Sequence, residues 1–206
     1  MKSPIVWQSL EDELRPITKY IRGATLNAGS GSRDISAFLR EKGAATVDNC
    51  DLKSSIPGAI IANLAEIPVE SDRYDTIVFN AVLEHVHYAD KVIQELRRVL
   101  KPGGHLLLCV PFTQPYHGEA DYRRYSRDGL LELAALHKFE TVEMFPVHTL
   151  AQTVAWIWWS HMGEKRQKLG LALMWLPFYL WTSLSCKTDF SLVRQANSYQ
   201  IVLKKP

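Results

Sequence analysis

One segment of the sequence, TLNAGSGSRDISAFL at residues 25–39, joins a strand pattern to a helix pattern through a glycine turn. The first residues are typical of a β-strand, and Ile35, Phe38 and Leu39 give the following helix an apolar side. Glycines in such a turn let backbone N–H groups and the start of the next helix approach a ligand closely. The segment therefore predicts a parallel sheet with helices, whose ligands bind at the carboxyl ends of the strands.

Strand and helix patterns alternate on both sides of this segment. An opening helix is predicted over Ser9–Ile21, shortened or kinked by Pro16. Further helices are predicted at Ala89–Leu100 and from Ser126, as N-cap, to His137. Strands are predicted at Ala24–Asn27, Ala45–Asp48, Ala59–Leu64, Thr76–Asn80, His105–Val110, Glu140–Phe145 and Tyr199–Lys204. This alternation predicts an α/β fold with a mostly parallel sheet and helices on both faces.

Composition narrows the class of protein. The chain has 206 residues, 47% of them hydrophobic, which predicts a single domain over residues 1–206. Its formal net charge is only +2 and no basic stripe is present, so we expect no nucleic-acid partner. Cys50, Cys109 and Cys186 form neither a disulfide framework nor a C-x-x-C pair. Near the amino terminus, acidic residues occur before any apolar run that is long enough for an export signal. We therefore expect a cytoplasmic protein.

The order of the downstream blocks identifies a family resemblance. Asp48, at the predicted end of the second strand, follows Asn27 by 21 residues and could accept the hydroxyls of an adenosine ribose. The blocks ANLAEIPVESDRYDTIVFNAVLEHV at residues 62–86 and RRVLKPGGHLLLCVPF at residues 97–112 follow. Together, over Gly23–Phe112, they resemble the class I S-adenosylmethionine-dependent methyltransferases, especially the small-molecule group called type 11. The resemblance implies a Rossmann-like, seven-stranded sheet with an antiparallel last strand at Tyr199–Lys204.

The same resemblance implies contacts with S-adenosyl-L-methionine. Its methionine and ribose parts would lie against Gly29 and Gly31, and its ribose hydroxyls on Asp48. The other implied contacts are Asn63 and the Leu64 backbone at the adenine, and Asn80 and Ala81 near the sulfonium. Asn27 and Asn63 stand where the family usually has acids, which predicts weaker cofactor binding because charge-assisted hydrogen bonds are the stronger ones.

A second block, PFTQPYHGEADYRRYSRDGL at residues 111–130, predicts the acceptor site. Its residues H-G-E-x-D-Y-x-R-Y at 117–125 resemble a block of methyltransferases associated with surface-polysaccharide biosynthesis; an ordinary polar loop is the alternative. For a hydroxyl acceptor, His117 is the first candidate base and His85 the second, with Asp121 orienting the imidazole. The predicted substrate-binding residues are Tyr122, Arg124 and Tyr125. Apart from the adjacent Glu84 and His85, no ligand spacing indicates a metal site.

Residues 150–190 form a hydrophobic, tryptophan-rich insertion before the last strand. Five of the six tryptophans lie in residues 156–181, and Leu169–Cys186 contains no charge over eighteen residues. We predict helices that contact the membrane peripherally, at the inner face of the cell membrane, which suits a lipid-linked acceptor. A cap over the cleft and a homo-oligomer interface are the alternatives.

Three functions are compatible with these features. The favoured one is methylation of a small or lipid-linked acceptor, at oxygen, with a glycan, polyprenyl-linked or quinone-type substrate. The alternative is a methyltransferase-like domain that binds cofactor or partner without catalysis. A nicotinamide oxidoreductase is disfavoured because Asp34 replaces the third glycine of the dinucleotide fingerprint.

Overall fold

The structure, a computed structural model, describes residues 9–148, 152–154, 156–157, 177, 180 and 196–206. Seven described strands form one sheet with the order β3-β2-β1-β4-β5-β7-β6. They are β1 (Gly23–Ala28), β2 (Ala44–Asp51), β3 (Ile60–Ile61), β4 (Tyr74–Asn80), β5 (Leu100–Pro111), β6 (Glu140–Val147) and β7 (Ser198–Lys204). The first five strands pair in parallel, and β7 is antiparallel to both β5 and β6. The predicted fold class, including its antiparallel last strand, is confirmed.

The described helices flank this sheet. They are α1 (Leu10–Leu14), a 3-10 helix at Arg15–Tyr20, α2 (Ser36–Glu41), a 3-10 helix at Leu83–His85, α3 (Ala89–Val99) and α4 (Arg127–Leu136). The opening helix changes type at Arg15 because Pro16 has no N–H for the α-helical ladder. Leu14, Ile17 and Ile21, spaced three and four residues apart, are nevertheless all buried. Ser126 caps α4, its hydroxyl accepting the Gly129 N–H.

Both faces of the sheet are buried, as the alternation of side chains in β4 shows. Ile77 and Phe79 belong to a core cluster with residues of α3 and α4. Val78, between them, belongs to a second cluster with Leu14 and Leu39 from the opening helix and α2. Successive strand residues point to opposite faces, so the sheet is covered by helices on both sides.

The loops after the parallel strands meet at one edge of the sheet. The Gly29 N–H donates to the Cys50 carbonyl at 2.8 Å, which joins the turn after β1 to the end of β2. The Ala81 N–H donates to the Cys109 carbonyl at 2.9 Å and joins the ends of β4 and β5. The candidate residues from separate sequence blocks are therefore brought to the same edge.

Most of the tryptophan-rich insertion, and with it most of the helices predicted over residues 150–190, lies outside the described residues. Among its described positions, Gln152 and Thr153 are buried, and Ile157 and Leu180 are 46% and 52% exposed. Within the described part of the chain, no helix has both the length and the apolar composition that crossing a membrane requires.

Candidate active site

A cavity of about 280 Å³ lies at the carboxyl edge of the sheet, and we call it the larger cavity. Its lining consists of Gly29, Asp51, Leu52, Asn63, Leu64, Ala81, Val82, His85 and Val86. The structure brings together here five residues that the sequence predicted as site residues: Gly29, Asn63, Leu64, Ala81 and His85. They come from four separate places in the chain, because Asn63 and Leu64 are adjacent. A long, polar-edged ligand can lie across the ends of β1, β2 and β4 in such a cavity.

The glycine turn shapes one wall of the larger cavity. Gly29 has a φ of +72°, and a Cβ at this position would lie 2.4 Å from Cγ2 of Val82. Only glycine lets the turn and Val82 approach so closely without strain. Gly31, with a φ of +55°, donates its N–H to the Asp51 carboxylate at 2.8 Å. The turn is thus held against the end of β2.

The acid at the end of β2 is Asp51, and the prediction that Asp48 ends this strand is wrong. The strand continues because β3 pairs with Cys50 and Asp51, which the sequence pattern did not reveal. The Asp48 carboxylate instead accepts hydrogen bonds from Arg73 at 3.0 Å and from the Tyr74 hydroxyl at 2.9 Å. Asp48 is absent from the lining of the larger cavity, whereas Asp51 is part of it.

Asn27 lies buried beneath the glycine turn. Its side-chain amide donates to the Asn49 carbonyl oxygen at 2.8 Å, and the Asn49 amide donates to the Ser36 hydroxyl at 3.0 Å. This chain of neutral hydrogen bonds joins β1, β2 and α2. Asn27 therefore supports the turn from below and is not among the residues that line either cavity.

A second cavity of about 170 Å³, the smaller cavity, lies next to the first. Its lining consists of Glu13, Ala81, Cys109, Val110, Pro111, Gln114, His117, His148, Trp156 and Ser198. Ala81 lines both cavities and has a left-handed φ of +53°. The two cavities therefore meet where β4 ends. Trp156 shows that the tryptophan-rich insertion contributes to the wall of the smaller cavity.

Burial disfavours the charged forms of two titratable groups of the smaller cavity. It raises the pKa of Glu13 and lowers the pKa of His148 to about 4. The Cys109 thiol donates to the Glu13 carboxyl at 3.2 Å, and the side chain of Asn80, also beside Glu13, partly offsets the effect of burial. Asn80 was predicted near the sulfonium, but it is not in either lining. The smaller cavity suits a neutral, largely apolar group.

The loop of residues 114–124 is attached to the 3-10 helix at Leu83–His85. The Tyr122 N–H donates to the Glu84 carbonyl at 2.8 Å, and Nδ1 of His85 donates to the Ala120 carbonyl at 2.5 Å. Gly118, with a φ of +81°, passes so close that a Cβ would lie 3.0 Å from Cε1 of His85. Residues 114–124 and the 3-10 helix at Leu83–His85 therefore form one structural unit. We call this unit the His loop.

Arg124 and Asp121 hold the His loop in shape. All five N–H donors of Arg124 are engaged; its acceptors are the Asp121 carboxylate and the carbonyls of Gln114, Pro115 and Arg123. Asp121 also accepts the His117 N–H at 2.9 Å. Although burial acts in the opposite direction, Arg124 lowers the pKa of Asp121 to about 2. Neither residue lines a cavity, so the structure does not place Arg124 toward an acceptor.

The two predicted substrate-binding tyrosines also lie outside both cavity linings. Tyr122 is 52% exposed and its ring makes an edge contact with His87. Tyr125 packs against the core, and burial raises its pKa to about 12. Their placement indicates a structural role: Tyr122 contributes to the His loop, and Tyr125 packs where this loop joins the core.

Glu84, His85 and His117 converge between the two cavities. The Glu84 side chain is fully buried, and its Oε1 lies 3.7 Å from Nε2 of His85 and 3.6 Å from Nε2 of His117. The Glu84 carboxylate raises the pKa of His117, while burial opposes this effect. Sequence reasoning noted the Glu84–His85 pair but missed this cluster, because nothing in the spacing indicates that His117 folds back onto it.

Comparison with known proteins gives the family. A family model described as "Methyltransferase domain" matches residues 13–159. The "Ubiquinone/menaquinone biosynthesis C-methyltransferase UbiE" of Vibrio vulnificus is 33% identical over 108 residues, which cover 44% of this chain and 41% of the relative. The chain spans less than half the length of the first curated relatives that it matches.

Solved structures share the fold. A Burkholderia thailandensis 1,6-didemethyltoxoflavin-N1-methyltransferase, with bound 1,6-didemethyltoxoflavin and S-adenosylhomocysteine, gives a TM-score of 0.61 at 16% identity over 95% of this chain and 79% of that one. The [4+2]-cyclase SpnF also gives 0.61, at 19% identity over 96% and 80%. Because the family model covers more than half of the chain and the fold agrees, the chain belongs to the class I S-adenosylmethionine-dependent methyltransferases.

Proposed function

We propose that the chain transfers a methyl group from S-adenosylmethionine, the cofactor of its family, to a hydroxyl of a small acceptor. The observation that carries this proposal is the meeting of two cavities at Ala81, one for the cofactor and one for the acceptor. Methyl transfer is an in-line displacement on an activated sulfonium, so the protein mainly aligns the reactants and excludes water. Adjacent cavities with one shared wall meet this requirement.

The cofactor occupies the larger cavity in this proposal. The ribose hydroxyls donate to Asp51, which takes the role predicted for Asp48. Each Asp51 oxygen already accepts one backbone N–H, from Gly31 or Lys53, and keeps a second lone pair for a hydroxyl. Asn63 and Leu64 meet the adenine, and Gly29 gives the methionine part room beside the turn. Asn27 acts indirectly, by supporting that turn.

The acceptor occupies the smaller cavity, where His117 and His85 act on the proton of its hydroxyl. His117 lines the smaller cavity and His85 the larger one, so the two imidazoles flank the passage between them. Asp121 is a positioning residue, because it holds the His117 backbone N–H and lies 3.5 Å from Nδ1 of His117.

A quinone-type acceptor fits this cavity better than a glycan. Burial in this cavity disfavours the charged forms of Glu13 and His148, and the Trp156 ring adds apolar surface, whereas sugar recognition needs many polar partners. The name of the Vibrio vulnificus relative also points to quinone chemistry, but to methylation at carbon, so the assignment to a hydroxyl rests on the two histidines and not on this relative. Peripheral membrane contact through residues 150–186 suits such an acceptor, and flotation of the full chain with anionic vesicles tests it. A chain that stays with the soluble fraction contradicts membrane contact.

A domain that binds cofactor or partner without methyl transfer is the second candidate. One observation is compatible with it: the [4+2]-cyclase SpnF shares the fold, so the fold does not by itself specify methylation. Transfer of labelled methyl from S-adenosylmethionine to a quinol separates the two. Label in the acceptor supports the enzyme; cofactor binding without label in any quinol or cell-extract acceptor supports the binding domain.

Calorimetry with S-adenosylhomocysteine tests the cofactor site. We expect Asp51→Asn to weaken binding by about 10- to 100-fold, the effect of losing hydrogen bonds to a charged group. Asp48→Asn is the matched control, because its carboxylate is occupied by Arg73 and Tyr74 outside the cavity. Folded wild-type protein that gives no heat, or a larger loss in Asp48→Asn than in Asp51→Asn, contradicts the assignment.

A further inference from the structure

We propose that Glu84, His85 and His117 bind a divalent first-row transition-metal ion, such as Zn²⁺ or Fe²⁺, at the passage between the two cavities. One candidate ligand atom from each of these three residues lies within 4.8 Å of the other two. Two imidazoles and one carboxylate form a donor set that suits these ions and leaves coordination positions open. This site goes beyond the methyl donor and the acceptor described above.

A cation beside Glu84 would stabilise its buried carboxylate. Its side chain is 0% exposed, and among the described residues neither of its oxygens has a hydrogen-bond partner. A buried carboxylate without hydrogen bonds or a counter-ion is strongly destabilising. The groups that approach it are the two imidazole Nε2 atoms, which are cations only when protonated.

Both imidazoles are oriented as metal ligands are. Nδ1 of His85 donates to the Ala120 carbonyl at 2.5 Å, and Nδ1 of His117 donates to the Pro115 carbonyl at 3.1 Å. With the proton on Nδ1, the lone pair is on Nε2 and points toward Glu84. Metal-bound histidines commonly donate their other ring N–H to a carbonyl or carboxylate in this way.

The distances favour an ion over a direct hydrogen bond. Separations of 3.6 and 3.7 Å between Nε2 and Oε1 exceed those of hydrogen bonds. Ligand atoms that share an ion with bonds of about 2.0–2.2 Å lie roughly 3–3.5 Å apart. The two Nε2–Oε1 separations therefore need to shorten by only a few tenths of an ångström. The candidate ligand atoms of the two histidines lie within 4.8 Å of each other, so the two rings also move toward each other when the ion binds.

The position of the ion gives it a role in methyl transfer, a role that rests on the proposed function. An acceptor hydroxyl at an open coordination position loses its proton to solvent more readily, because the ion stabilises the oxyanion. The oxyanion forms a bond to the methyl carbon, and the electrons of the breaking S–C bond go to sulfur. The products are a methyl ether and S-adenosylhomocysteine. The histidines then act as ligands rather than as the predicted bases.

Metal binding by chelator-treated protein tests the site. We expect one Zn²⁺ per chain by calorimetry, visible absorption bands with Co²⁺, and a Tm raised by about 5 °C or more at hundredfold excess over Kd. Glu84→Gln and His117→Gln each weaken Zn²⁺ binding by about tenfold or more. His87→Gln is the matched control, since His87 is an exposed histidine two positions beyond His85.

The outcomes are distinct. Absence of Zn²⁺ and Co²⁺ binding, or equal affinity in wild type and both ligand variants, overturns the inference and leaves His117 as the proton acceptor. Glu84→Gln loses a buried charge, so it folds with at least wild-type stability in the metal-free state while losing the shift in Tm. Binding of S-adenosylhomocysteine by the same samples reports separately on the cofactor site. Metal binding without cofactor binding contradicts only the proposed function.

Discussion

At the residue scale, Gly29 combines two requirements, a left-handed φ of +72° and an approach to Val82 that leaves no room for a Cβ. We expect Gly29→Ala to lower the free energy of unfolding by about 2–3 kcal/mol, from backbone strain and overpacking together. It should also weaken S-adenosylhomocysteine binding, because Val82 lines the same cavity. Urea denaturation and calorimetry measure the two effects.

Gly31→Ala separates the two requirements. Gly31 also has a positive φ, of +55°, but nothing lies within 4 Å of a Cβ at this position. We expect a smaller loss, of about 1 kcal/mol, from conformation alone. Adding Val82→Ala to Gly29→Ala should recover part of the larger loss. Equal losses at Gly29 and Gly31 argue against the close approach of Val82.

At the scale of elements, Arg124 stabilises the His loop, because all five of its N–H groups donate hydrogen bonds to acceptors in this loop. We expect Arg124→Gln to free residues 114–124, with faster hydrogen exchange of the His117 and Tyr122 amides. Methyl transfer falls by tenfold or more, since His117 loses its position, whereas S-adenosylhomocysteine binding changes little. Mass spectrometry of exchanged peptides and a turnover assay measure these effects.

Arg127→Gln is the control for this prediction. Arg127 pairs with Asp128 at 3.0 Å, and both side chains are more than half exposed. Such surface pairs contribute little, so exchange and turnover should remain as in the wild type. Equal exchange in Arg124→Gln and wild type shows that other contacts hold the loop.

Local patterns predicted the main elements, and their errors have physical causes. Periodicity placed α3 and α4 within one or two residues, because each has an apolar face and a clear end. The second strand was predicted to end three residues too early, since its end depends on pairing with the two-residue β3. The predicted strand at Ala59–Leu64 is shorter because Asn63 turns the chain, its side chain accepting the Ala65 N–H.

In the candidate site, too, the sequence predicted the residues that local patterns specify and missed those that depend on contacts between distant segments. The glycine turn, Asn63, Leu64 and Ala81 were found from the sequence because each follows a strand and occupies a spacing typical of the family. Asp51 was missed with the end of its strand. The cluster of Glu84 and His117 depends on the path of an irregular loop, which periodicity does not specify. Glu13 comes from α1, far from every block that the resemblance used.

At the scale of the whole molecule, Glu95 links acid stability to the packing of α3. Its carboxylate accepts the Ile67 N–H at 2.7 Å and two hydrogen bonds from Arg98. Arg98, more than the Ile67 N–H, lowers the pKa of Glu95 in the folded chain. The carboxylate therefore stabilises the fold above the unfolded pKa, and this contribution is lost as pH falls through the folded pKa.

We expect Glu95→Gln to lower the free energy of unfolding at pH 7 by about 1–2 kcal/mol. The difference from wild type should shrink as pH falls below the ordinary pKa of a glutamate, because the wild-type carboxylate then takes up its proton. Urea denaturation at pH values above and below this pKa measures it. Glu140→Gln is the control, because Glu140 is 60% exposed and lies 3.8 Å from Lys204. A constant difference at all pH values contradicts the linkage.

The strand order of the sheet also has a consequence during synthesis on the ribosome. β7 is the last strand along the chain, but it lies between β5 and β6 and pairs with both. Until residues 198–204 emerge, the nascent polypeptide keeps the edge of β5 open beside Leu106 and Leu108. Chaperones that hold unpaired strand edges would therefore be needed late in translation, and premature stops before residue 198 would yield aggregating fragments.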